Sequence, residues 1–65
     1  MKTTSFEQAK CTIQKSIKKC EHYEIGSIGV NLGIVMDDIL KELREYFSDW
    51  SITKEYFGYF KITKK

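Results

Sequence analysis

Few residues have types suited to catalysis or metal binding: one histidine, His22, two cysteines, Cys11 and Cys20, and the adjacent carboxylates Asp37 and Asp38. On one helix, Cys11 and Cys20 would point to opposite faces about 13 Å apart along the axis, too far for a disulfide. They are expected as free thiols. With His22 as the only other soft ligand, and no Cys-x-x-Cys pair or second histidine, no metal site is expected. Asp37 and Asp38 diverge by about 100° on a helix and do not converge on one atom. No Ser/His/Asp or Cys/His pair sits at a suggestive local spacing, and the stretch from Gly26 to Gly33 lacks the Lys-Ser/Thr of a phosphate-cradling loop. A 65-residue chain also has little room for an enclosed cleft. The expectation is a protein that is not an enzyme and carries no cofactor.

Binding chemistry is better represented, because the charges are sorted along the chain. Residues 1–20 carry five Lys against one Glu, residues 21–33 only Glu21 and Glu24, residues 34–49 five acids against two bases, and residues 50–65 four Lys against one Glu. Basic ends thus flank an acidic middle, and the formal net charge is +2. Nine aromatics and a 42% hydrophobic content mark a chain that folds rather than a disordered linker. The longest uncharged run, Ile25 to Met36, holds three glycines and is far shorter than the roughly 20 apolar residues of a membrane span. The polar stretch Met1 to Phe6 has no apolar core of a signal peptide, so a soluble cytoplasmic protein with no membrane contact is expected. There is no proline, linker or repeat, so residues 1–65 read as a single domain.

Three elements position these groups. Phe6, Ala9, Ile13, Ile17 and Cys20 recur at spacings of three and four, which predicts a helix from about Ser5 to His22 capped by Thr4 or Ser5. Lys10, Lys15, Lys18 and Lys19 fall on its solvent side, and His22 near its end suits the negative pole of the helix dipole. Met36, Ile39, Leu40, Leu43, Phe47 and Trp50 predict a second helix over about Ile34–Trp50, with Asp37 and Asp38 in its first turn. Beyond Trp50 the period drops to two. A hairpin is predicted there, with Glu55–Gly58 in its turn, Phe60 and Ile62 on one face, and Tyr59 and Lys61 on the other. The aromatic cluster Tyr56, Phe57, Tyr59 and Phe60 is either partly buried under the first helix, a protein contact surface, or a platform for nucleic-acid bases.

The segment Glu24–Gly33 has two readings. Alternation of Ile28, Val30 and Leu32 makes it a strand and the fold α-β-α-β-β. Taken instead as a short helix and turn, Ile25-x2-Ile28-x3-Leu32-Gly33-Ile34 followed by Ile39, Leu43 and Tyr46 resembles the helix-turn-helix signature. Trp50–Thr63, ending in Tyr-Phe-Lys-Ile-Thr, is similar to the wing of the winged helix-turn-helix family, so the resemblance covers nearly the whole chain. It implies an α+β fold of helix, short helix, turn, recognition-type helix and C-terminal hairpin, here the leading expectation over α-β-α-β-β.

The winged-helix resemblance further implies a regulator of transcription or replication that binds double-stranded DNA, as a homodimer reading two half-sites. Carried onto this chain, Lys41 and Arg44 on the recognition-type helix and Lys54 and Lys61 on the wing would make the nucleic-acid contacts. The same helix, however, presents Asp37, Asp38, Glu42 and Glu45, which repel a polyanion, and Arg44 is the only arginine available for bidentate contacts. The second expectation is therefore a protein-binding module on the same fold, such as a small inhibitor or adaptor of the kind that phages and mobile elements encode. Its partner-binding residues would be Asp38, Glu42 and Glu45 on the helix and Tyr56, Phe57 and Tyr59 on the hairpin.

Overall fold

The computed structural model describes residues 3–65; Met1 and Lys2, the start of the polar N-terminal stretch, lie outside the described residues. Helix α1 spans Phe6–Tyr23. Ser5 starts it through a reciprocal cap, in which Gln8 N–H donates to Ser5 Oγ (3.2 Å) and Ser5 N–H donates to Gln8 Oε1 (3.1 Å). Glu24 ends it in the left-handed conformation at φ 56°, and Ile25 N–H reaches back to the Cys20 carbonyl (2.8 Å). Ala9, Ile13 and Cys20 are buried and Phe6 and Ile17 pack beside them, as the spacing predicts. Both cysteines are free, Cys11 exposed and Cys20 buried.

The segment after α1 is strand β1, Ser27–Asn31, and the short helix of the helix-turn-helix reading is not formed. Val30 and Leu32 are buried and Ile28 packs against them, while Ile25, which the helical spacing would place on the packed face, is exposed. Three glycines in ten residues weaken a helix by up to about 1 kcal/mol each, and here one of them is needed in a strand. Tyr59 lies across Gly29 so closely that a Cβ there would sit 2.6 Å from the ring carbon Cζ. Gly33 does redirect the chain at φ +73°, as its place in the turn predicts, but it joins a strand to a helix rather than two helices.

Helix α2 spans Asp37–Tyr46, shorter at both ends than the apolar spacing predicts. Met36 is its extended N-cap and is exposed, and Phe47 closes the other end by donating its N–H to the Leu43 carbonyl (2.9 Å). Trp50 belongs to strand β2, Trp50–Tyr56. The helical spacing overruns because Phe47 and Trp50 reach the same core from a tight turn, in which Trp50 N–H donates to the Phe47 carbonyl (2.9 Å). Strand β3, Tyr59–Lys64, returns through the two-residue turn Phe57-Gly58, with Gly58 at φ +80°.

The three strands form an antiparallel sheet in the order β1-β3-β2. Ile52 pairs with Ile62 and Lys54 with Phe60 across the hairpin, a bulge at Glu55 shifts the register, and Tyr56 then faces Tyr59. On the central strand Phe60 and Ile62 are buried and Tyr59 and Lys61 exposed, the faces that alternation predicts. Both helices cover one face of the sheet, and Ile13, Cys20, Leu43, Phe60 and Ile62 form the fully buried centre. The fold is α+β, two helices on a three-stranded antiparallel sheet, an arrangement compatible with a small winged helix.

Candidate interaction surfaces

Helix α2 turns Leu40 and Leu43 into the core, which leaves Asp37, Asp38, Lys41, Glu42, Arg44 and Glu45 exposed. Four carboxylates surround one free ammonium there. Arg44, though exposed, is anchored: its Nε–H donates to the Ile52 carbonyl at 3.2 Å, which ties the last turn of α2 to β2.

The hairpin separates the remaining cations. Lys61 lies on the helix-free face of the sheet, between Gly29 of β1 and Thr53 of β2. Lys54 pairs with inward-facing Phe60 near the end of the hairpin, and its Nζ sits 6.0 Å from the centre of the Phe57 ring. Lys41, Arg44, Lys54 and Lys61 therefore do not converge on one surface.

The aromatics do converge. Tyr56 and Phe57 are 74% and 75% exposed at the end of the hairpin, and the Tyr56 and Tyr59 ring centres lie 6.3 Å apart. Only Phe60 of the four hairpin aromatics is buried, so packing beneath α1 is corrected to exposure for the other three. The reason is alternation: Tyr59 shares the helix-free face with Lys61, Tyr56 follows the bulge at Glu55 to lie beside it, and Phe57 sits in the turn itself. Gly33 N–H donates to the Gly58 carbonyl (3.2 Å), so the chain enters α2 from beside the hairpin turn. Asp37 and Asp38 begin α2 four residues further on, on the helix-covered side of the sheet, whereas Tyr59 lies with Lys61 on the helix-free face; Glu45 sits at the opposite end of the helix.

On α1 the lysines divide. Lys10 is drawn down by an ion pair to Glu7 (3.2 Å) and lies 5.8 Å from the Phe6 ring centre and 5.4 Å from that of Tyr46. Lys15, Lys18 and Lys19 are exposed and make no ion pair among the described residues. Sequence reasoning missed the packing of Tyr46 on Phe6, ring centres 6.0 Å apart, because Tyr46 sits at the edge of the apolar stripe. It also missed which strands form the sheet edges, for which no local signal exists.

Among the described residues no group of three or more His, Cys, Asp or Glu could hold a metal ion, and no helix is long and apolar enough to cross a membrane. The chain matches no protein-family model, no curated protein and no solved structure.

Proposed function

We propose that this chain is a cytoplasmic protein-binding module that grips its partner through the hairpin tip, with Tyr56, Phe57 and Tyr59 as anchors and the acidic face of α2 as a second, separate contact. The observation that carries the reading is the exposure of Tyr56 and Phe57 in a chain too small to spare apolar rings from its core. Exposed aromatic rings with a polar rim are what protein interfaces use as anchors. Asp38, Glu42 and Glu45, all exposed on α2, would steer a basic partner surface. Two free thiols suit a reducing compartment.

Double-stranded DNA binding as a homodimer is the second reading, favoured by the exposed lysines of α1 and weakened by the acidic face of α2. Two measurements separate the readings. Anisotropy on random duplex DNA at about 50 and about 200 mM salt is expected to show no binding at either, whereas several phosphate contacts would give an affinity that falls by orders of magnitude over that range. Affinity capture from a lysate of the source organism is expected to recover a partner with the wild type but not with Tyr56→Ser/Phe57→Ser. Salt-sensitive duplex binding, lost in Lys54→Glu or Lys61→Glu and kept in the tip variant, would overturn the proposal.

A further inference from the structure

The two edges of the sheet are finished differently. Around β1, Lys64 N–H donates to the Gly26 carbonyl (2.9 Å) and Leu32 N–H to the Gly58 carbonyl (2.8 Å). In the same register Ile28 stands opposite Ile62 and Val30 opposite Phe60. Alternation in an antiparallel ladder makes Ile28 and Val30 the residues whose N–H and C=O groups face β3. Those of Ser27, Gly29 and Asn31 therefore point away from the sheet, and none has a hydrogen-bond partner outside the β1–β3 ladder among the described residues. On β2 the corresponding outward positions include Trp50 and Ile52. Trp50 N–H is taken by the Phe47 carbonyl (2.9 Å), and the Ile52 carbonyl by Arg44 (3.2 Å). The chain ties down two outward groups of β2 with its own turn and helix, and makes no such bond to the outward groups of β1.

A groove runs along the open edge. Thr12, Lys15, Ser16 and Lys19 of α1 form one wall, and Ile28–Asn31 of β1 the other. The two hydroxyls are turned onto their own helix, Thr12 donating to the Gln8 carbonyl (3.1 Å) and Ser16 to the Thr12 carbonyl (3.0 Å). Lys15 and Lys19, four residues apart on one helix face, are the charged groups of the wall. Unsatisfied strand groups on one side and two unpaired ammonium groups on the other describe the chemistry of what fits between them.

We infer that the β1 edge receives an extended acidic segment of a partner protein as a fourth strand, with carboxylates on alternate residues directed at Lys15 and Lys19. The main chain of the segment pairs with Ser27, Gly29 and Asn31, so about five residues span the site at the usual rise per strand residue. A second copy of this chain is a poorer occupant, because antiparallel β1–β1 pairing sets the Lys15 and Lys19 of one copy beside those of the other. Nucleic acid satisfies the lysines but has no ladder of amides to pair with the strand. Tyr59 pairs with Asn31 and lies over Gly29, so the two sites are separated by the Tyr56→Ser/Phe57→Ser variant, which leaves Tyr59 and the β1 edge in place.

The test is fluorescence anisotropy with a labelled eight-residue peptide of alternating Glu and Val. Two further versions carry N-methyl groups, one on every Glu and one on every Val, and a fourth replaces Glu with Lys. Binding of the parent peptide is expected, with at least a tenfold loss for one N-methylated version and near-parent affinity for the other; which one is lost reports the direction of the added strand. The Lys-Val peptide is expected not to bind. Lys15→Glu/Lys19→Glu is expected to weaken the parent peptide at least tenfold while its thermal unfolding matches wild type. Equal binding of both N-methylated versions would reduce the site to a plain cationic patch and overturn the inference. So would absence of parent-peptide binding, or equal competition by duplex DNA. A dimer in sedimentation that the peptide cannot dissociate would assign the edge to self-pairing instead.

Discussion

Arg44→Met tests whether the single arginine serves the fold. The side chain leaves the last turn of α2 and its Nε–H reaches the Ile52 carbonyl at 3.2 Å in a partly buried position. Methionine keeps much of the aliphatic stem and removes both the donor and the charge. A hydrogen bond from a charged donor contributes about 1.5–3 kcal/mol, and partial exposure argues for the low end because water can replace the lost partner. A cation in the last turn of a helix adds about 0.3–1 kcal/mol through the dipole. Together these give a loss of about 2 kcal/mol, or roughly 10 °C in Tm for a domain of this size. Arg44→Lys restores the dipole contribution and not the bond, so it should recover about 0.5 kcal/mol. Thermal and urea unfolding followed by circular dichroism read both variants. Sedimentation adds an independent readout, because Arg44→Met exposes the Ile52 carbonyl on the β2 edge and should increase self-association. If both variants unfold within about 2 °C of wild type, the tether contributes nothing. Arg44 would then return to the set of cations free to meet a phosphate.

Glu24→Gly should stabilise the protein by about 0.5–1 kcal/mol, because Glu24 holds the left-handed conformation at φ 56° that only glycine adopts freely; urea unfolding reads the gain. Gly58→Ala should cost about 1–2 kcal/mol for the reverse reason, with Gly58→Asn milder, and the loss is read the same way. Phe60→Ala removes the largest fully buried side chain and should cost about 3–5 kcal/mol. That approaches the entire stability of a core this small, so the variant should lack a cooperative thermal transition.

The legible parts of the fold are those in which one period fits and no other does. The Phe6–Cys20 stripe has no strand alternative, and the hydroxyls of Thr4 and Ser5 bracket where the helix starts. The hairpin is equally plain, since Phe60 and Ile62 alternate with Tyr59 and Lys61 next to a glycine. Glu24–Gly33 is different. Ile25, Ile28 and Leu32 satisfy the helical period, and Ile28, Val30 and Leu32 satisfy the strand period, so spacing alone decides nothing over ten residues. Tertiary demand decides it: the hairpin occupies only one side of β3, and Phe60 and Ile62 offer buried cross-strand partners to Val30 and Ile28 on the other. Glycine content was the local clue, and Gly29 has its physical reason in the Tyr59 ring lying over it.

The candidate sites were legible as residue types and not as surfaces. Tyr56, Phe57 and Tyr59 could be named from the sequence, because a regular hairpin must turn some of its aromatics outward. The open edge of β1 could not, since the strand order β1-β3-β2 that makes it an edge is set by tertiary pairing, and the bonds on the other edge depend on where α2 stops. Ending at Tyr46 instead of Trp50, the helix releases a turn in which Phe47 meets Trp50 N–H, and Arg44 comes to rest over Ile52. Both contacts occupy outward groups of β2. Nothing equivalent follows Tyr23, where the chain leaves α1 through Glu24 and runs directly into β1 with its outward amides free. The lysines of α1, which composition alone would assign to a phosphate backbone, thereby acquire a neighbour that phosphate cannot use. A strand edge beside two ammonium groups selects for main-chain amides and carboxylates together, and an extended acidic peptide supplies both.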